Sequence, residues 1–187
     1  EYITRIDISA INFNILRKEF TRVKHKNLLF KDLGDFIEQS LDRLVAANPN
    51  RRDYYERYRQ IIEDYNSGKD RSNIEKTFEA LIQLVKELSE EESRYIREGF
   101  TTDDELAIFD LLKRDNPNKA DIKKLKSTAT EMYTKITEAI SRMDHWTDKD
   151  ETTAEIQNLI RDILWRELPE SYDEQQIEVC RGDVFEY

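Results

Sequence analysis

The sequence predicts an all-α fold, an irregular bundle of about seven or eight helices forming a single domain over residues 1–187, with sub-lobes 1–99 and 100–187. Three observations predict it. Only four Gly and three Pro occur in 187 residues, far fewer than a turn-rich β sandwich requires. Apolar residues recur with the three-and-four spacing of a helix face, and no five-residue stretch alternates as a strand would. Capping signatures of the form S/T-x-x-E stand ahead of several of these apolar runs.

Taken in order, the first helix starts near Asp7 or Asn12 and runs to Val23, with Ile8, Ile11, Ile15, Leu16 and Phe20 inward. A second spans Leu28–Ala47 and stops at Asn48-Pro49, because a residue before proline is pushed out of the helical region. Arg52–Tyr65 forms a third, ended by the turn cluster Asn66-Ser67-Gly68. Ser72 and Glu75 box the start of a fourth, which aligns Ile74, Phe78, Leu81, Ile82, Val85 and Leu88. A second box, Ser89 with Glu92, predicts a bend or restart before Gly99 closes the segment in the left-handed conformation. Thr102 and Glu105 then cap a helix carrying Leu106, Ile108, Phe109, Leu111 and Leu112. After the breaker Asn116-Pro117-Asn118, a long helix holds Ile122, Leu125, Ala129, Met132, Tyr133, Ile136, Ile140 and Met143 on one face. Thr152–Leu168 forms the next helix, and a box of Ser171 with Glu174 starts the last.

Composition limits the function. Charged residues make up 37% and the net charge is -10, so the surface is strongly solvated and non-specific phosphate binding by the chain as a whole is disfavoured. The charge is uneven. Residues 1–71 hold 14 Lys and Arg against 12 Asp and Glu, whereas 144–187 hold 4 against 13. Eight Phe, nine Tyr and two Trp argue for a packed core. The single Cys180 cannot form an internal disulfide, which fits a reducing, cytoplasmic setting. No apolar run reaches the ~18 residues of a membrane span. The chain opens on Glu1 and closes on an apolar pattern at Val184-Phe185-Glu186-Tyr187, as expected of a piece of a longer protein.

Catalytic signatures are missing from the sequence. It has no phosphate-loop motif, and four scattered glycines do not make a nucleotide cradle. His25 and His145 stand far apart and outside any zinc motif, so no metal ligands are assigned. Asp103-Asp104-Glu105 and Asp148 with Asp150-Glu151 read as first-turn acids favoured by the helix dipole. The expectation is therefore no catalytic residue, no metal and no cofactor in this chain.

Basic clusters carry more information. Arg17, Lys18, Arg22, Lys24 and Lys26 form one, and Lys113, Lys119, Lys123, Lys124 and Lys126 another. Lys119, Lys123 and Lys126 lie near one helical stripe, which could sit along a phosphate backbone, against the plainer reading of a solvated face in a heavily charged protein. Arg51, Arg52, Tyr55 and Arg59 combine two residue types enriched at interfaces. Together with Trp146 and Tyr172 in the acidic last third, they are the candidate protein-partner residues.

The wording around these elements adds a resemblance. Asn66-Ser-Gly-Lys-Asp-Arg71, Glu87-Leu-Ser-Glu-Glu-Glu-Ser-Arg94, Arg97-Glu-Gly-Phe-Thr-Thr-Asp-Asp-Glu-Leu106 and Leu168-Pro-Glu-Ser-Tyr-Asp173 occur in that order. Phe36-Ile-Glu-Gln-Ser-Leu41, Ile61-Ile-Glu-Asp-Tyr65 and Asp144-His-Trp146 accompany them. The whole resembles the C-terminal region of HsdR, the motor and endonuclease subunit of type I restriction-modification enzymes, of the IC-like subfamily. That resemblance implies a parent subunit with a nuclease domain and ATP- and Mg-dependent translocase domains. It also implies a complex with modification and specificity subunits of a methyltransferase core, and double-stranded DNA. None of the nuclease or ATPase motifs has a counterpart here. The expected role is non-catalytic: docking to the methyltransferase core and to other domains of the same subunit, with assistance in DNA binding. The competing expectation is a purely protein-binding adaptor that never touches nucleic acid.

Overall fold

A computed structural model describes residues 13–22, 26–67, 72–114, 116–143 and 150–187. Nine α-helices occur among the described residues: α1 Phe13–Arg22, α2 Lys26–Ala47, α3 Arg52–Ser67, α4 Ser72–Glu92, α5 Arg94–Glu98, α6 Asp103–Leu112, α7 Lys119–Ile140, α8 Asp150–Glu167 and α9 Glu174–Glu186. A single 3-10 turn at Pro49–Arg51 joins α2 to α3, and no strand occurs among the described residues. The all-α expectation holds, with α5 raising the helix number above the seven or eight read from periodicity. The onset of the first helix near Asp7 or Asn12 lies outside the described residues.

The chain divides into two compact units. Among the described residues, the first comprises those up to Ala46 together with those of Arg51–Arg94, and the second comprises Ala47–Asn50 with those of Tyr95–Tyr187. In the first, Ile37 and Leu41 of α2 and Phe78, Leu81, Ile82 and Leu84 of α4 are almost fully buried in one cluster, and Phe20 of α1 stacks on Phe78 at 3.6 Å between centroids. Tyr58 of α3 is buried, and its hydroxyl donates to Glu38 Oε1 at 2.9 Å. A β-carbon at Gly34 would stand 3.3 Å from the Tyr58 oxygen, so glycine there admits the ring close to α2. Arg51 is 2% exposed; its Nε donates to Glu91 Oε1 at 2.9 Å, and Arg94 Nε donates to the same oxygen at 2.8 Å. Desolvating a charge is tolerable only with such pairing.

In the second unit Leu106, Leu112, Leu125, Met132, Ile156, Ile160 and Leu164 are almost fully buried, drawn from α6, α7 and α8, and Ile177, Cys180 and Val184 of α9 join them. Residues 47–50 are tied into this unit by Asn48 Nδ2 donating to Asp110 Oδ2 at 2.7 Å and by the Tyr187 hydroxyl donating to the Ala47 carbonyl at 2.9 Å.

Helix ends follow local chemistry. Gly99 takes a φ of +87°, and the Phe100 amide closes back on the Tyr95 carbonyl at 2.9 Å. Thr102 caps α6 and Glu105 returns the bond, its Oε2 also accepting from the Thr101 amide at 2.7 Å. Two boundaries differ from the sequence reading. α4 passes straight through Ser89, since Leu88 and Glu91 are both buried there, and it breaks only at Ser93, whose hydroxyl donates to the Glu90 carbonyl. The last helix is boxed by Asp173 with Gln176 rather than Ser171 with Glu174. Ser171 is used up in a turn closed by the Tyr172 amide on the Pro169 carbonyl, and a carboxylate caps as well as a hydroxyl.

Candidate phosphate and partner interfaces

The long basic helix α7 begins at an Asn118 cap, with Asp121 in its first turn. Leu125, Thr128, Ala129 and Met132 face the core. With about 100° between successive residues, Lys124 and Lys126 fall on the two flanks of Leu125, Lys119 lies close to the Lys126 flank and Lys123 falls on the far side. The side chains behave accordingly. Lys124 Nζ donates to the Leu168 carbonyl at 3.1 Å, just past the end of α8, and Thr128 Oγ1 donates to the Glu167 carbonyl at 3.2 Å. Lys126 Nζ donates to the Glu98 carbonyl and to Glu98 Oε2, each at 2.7 Å, at the end of α5. Both ammonium groups therefore neutralise the negative ends of neighbouring helices. The stems of Lys126 and Lys113 also place their charges near the Phe109 ring, at 5.8 and 5.9 Å.

Lys119 and Lys123 are exposed and make no ion pair among the described residues. The outward face continues through Ser127, Thr130 and Thr134, all exposed. Their hydroxyls were not singled out by sequence, although the spacing of four, three and four from Lys123 marks them. An open groove of about 460 Å³ runs beside this face, lined by Phe100, Lys126, Ser127, Thr130, Glu131 and Lys135, among others. Ser127 Oγ donates to the Lys124 carbonyl at 2.8 Å and Thr134 Oγ1 to the Thr130 carbonyl at 2.9 Å, so the donors this face offers to phosphate oxygens are the Lys119 and Lys123 ammonium groups and the Thr130 hydroxyl.

The other basic cluster belongs to the first unit. Lys18 and Arg22 are exposed and four apart on α1, whereas Arg17 Nε is engaged with both oxygens of Glu79 at 2.9 and 3.0 Å. Lys26 opens α2, and Lys24 lies outside the described residues.

Among the residues read as partner contacts, Arg52, Tyr55 and Arg59 share an exposed stripe of α3 at spacings of three and four. Arg51 is not on it, being buried against Glu91. Tyr172, in the second unit, is half-buried: its hydroxyl donates to the Leu112 carbonyl at 2.6 Å and the Arg114 guanidinium lies 4.5 Å from its ring. Burial pushes the Tyr172 phenol up to about 12. Trp146 and His145 lie outside the described residues. Trp165, 52% exposed on α8, is an exposed aromatic that sequence reading passed over.

No group of three or more His, Cys, Asp or Glu suited to a metal ion occurs among the described residues. No helix among them is long and apolar enough to cross a membrane. Residues 2–187 match a family model described as the type I restriction enzyme HindI endonuclease subunit-like, C-terminal domain. No curated protein and no solved structure matches the chain.

Proposed function

The chain belongs to the C-terminal domain family of HindI-like type I restriction enzyme endonuclease subunits, and from that premise we propose that it is a non-catalytic helical module. It fastens the endonuclease subunit to its methyltransferase core in the cytoplasm and adds phosphate contacts to duplex DNA. The nuclease and the ATP- and Mg-driven steps belong to other parts of the subunit.

One observation carries the phosphate role. α7 holds Lys119 and Lys123 outward without a carboxylate partner among the described residues, in a chain of net charge -10 where counterions abound. Lys119 occupies the first position of the helix, where the macrodipole already supplies positive potential and a further cation costs stability. The Lys119 and Lys123 ammonium groups and the Thr130 hydroxyl make a face suited to an anionic backbone. On α3, the Arg52–Tyr55–Arg59 stripe supports the docking role, because its residue types dominate protein interfaces.

The test uses the whole endonuclease subunit carrying Lys119→Glu and Lys123→Glu. Duplex affinity is expected to fall, and the slope of log affinity against log salt to flatten by roughly one per lysine lost. Unchanged affinity and slope would leave the protein-binding adaptor as the reading. That second reading has its own support, since Lys124 and Lys126 are occupied in holding helix ends.

A further inference from the structure

A second surface of the same unit has the opposite character. The core side of α8 consists of Ile156, Ile160, Ile163 and Leu164. Its outer side carries Glu151, Glu155, Asn158, Asp162 and Trp165, spaced four, three, four and three apart, and all five are exposed. This is one straight stripe of about 21 Å, at 1.5 Å per residue. Glu151 and Glu155 form no ion pair among the described residues, and Asp162 has only its chain neighbour Arg161 at 3.8 Å. Trp165 stays 52% exposed although the core beside it is already closed by Leu164 at 0%. About half of that residue's surface is therefore left in water, apolar area that the fold does not use.

We infer that the outer face of α8 is a docking surface for a basic protein segment, with Trp165 as the anchor. The reasoning rests on charge and on the anchor's identity. Three carboxylates along one stripe repel a phosphate backbone, so this face and the lysine face of α7 do not serve the same ligand. A protein surface bearing Lys or Arg at matching spacing satisfies Glu151, Glu155 and Asp162. An adjoining apolar pocket on that partner would enclose the indole. Trp is the residue type that most often carries binding energy when surrounding polar contacts exclude water, and complementary charge around it sets register and speeds encounter. The inference rests on the assembly role proposed above and narrows it. The occupant is a basic patch of the methyltransferase core, and the contact is made by α8.

The measurement is the affinity of the whole endonuclease subunit for its methyltransferase core, without DNA. Trp165→Ala is expected to weaken it at least about 10-fold, with Trp165→Phe recovering most of the loss. The double reversal Glu155→Lys with Asp162→Lys should weaken it as well and remove most of its salt dependence. Because all three side chains are exposed, thermal midpoints should stay near that of the unaltered subunit, which separates docking from folding. Affinities within about twofold of the unaltered subunit for Trp165→Ala and for the double reversal would overturn the inference. If removal of the whole domain still abolished association, the assembly role would survive that result on some other face. If removal of the domain left association intact, the assembly role and the α8 inference would fail together. An effect of Trp165→Ala confined to self-association of the subunit would also overturn it, since the partner would then be a second copy.

Discussion

A single phenol shows how burial ties this fold to pH. The Tyr172 hydroxyl donates to the carbonyl of Leu112, the last residue of α6, and the Arg114 guanidinium covers the ring. Burial favours the neutral form, moving its pKa from 10 to about 12. A pKa raised in the folded state means that stability from this group is intact below pH 10 and is lost as pH climbs towards 12. Tyr58 and Cys180 are shifted upward as well, chiefly by desolvation, so they weaken the fold in the same direction at alkaline pH. Tyr172→Phe should therefore cost about 1 kcal/mol at pH 8, for the lost hydrogen bond. It should also make the decline in stability between pH 10 and 12 shallower without abolishing it. Urea unfolding followed at pH 8, 10 and 11.5 measures both, and an unchanged alkaline slope would remove Tyr172 from the explanation. At this scale the sequence was partly readable. Gly99, Thr102 and Glu105 could be assigned because their partners lie within four residues. Arg51 could not, because its partner Glu91 is 40 residues away and the choice between interface and interior depends on that distant contact.

Among the helices, legibility follows the strength of the buried stripe. α7 was visible because Leu125, Ala129 and Met132 repeat at helical spacing, and the breaker Asn116-Pro117-Asn118 fixes its start. The two missed boundaries are places where two caps compete within a few residues, Ser89 against Ser93 and Ser171 against Asp173, and packing decides between them. The lysines of α7 present the same difficulty on the surface. Four of them lie within eight positions, yet two bend inward to cap α8 and α5 and two remain outward. Only the neighbouring helix ends make that distinction. The outward pair has a measurable consequence. Lys119→Glu places a carboxylate at the positive end of α7 and should stabilise the fold by about 0.3–1 kcal/mol, while the same change is expected to weaken duplex binding. Thermal or urea unfolding of the variant checks the first half. A loss of stability would mean that Lys119 holds the fold together, and the argument that it is kept for an external anion would fall.

Over the molecule as a whole, charge and core are both distributed unevenly. The acidic excess collects in the last third of the chain, where α8 presents its carboxylates, and the lysine face of α7 packs its other side into the same unit. Composition alone made the chain look like a poor ligand for DNA; only the sorting of charge by helix gives each sign its own face. The buried residues form two separate sets, one from Phe20 to Leu88 and one from Phe100 to Val184, each lying within a single unit. Periodicity reveals which residues are inward but not which inward faces meet, so this division is a property of the contacts. Its consequence is local cooperativity. Leu125 is 0% exposed in one set and Leu41 is 0% exposed in the other, and truncating either to Ala should cost about 2–5 kcal/mol. In native-state hydrogen exchange, Leu125→Ala is expected to lower protection in α6 to α9 while α2 to α4 keep most of theirs, and Leu41→Ala should do the reverse. Equal loss of protection throughout, from either substitution, would mean that the two cores open as one cooperative body. Local opening as expected would let the lysine-bearing α7 and the tryptophan-bearing α8 respond to the ligands proposed for them through one core, separately from the α3 stripe.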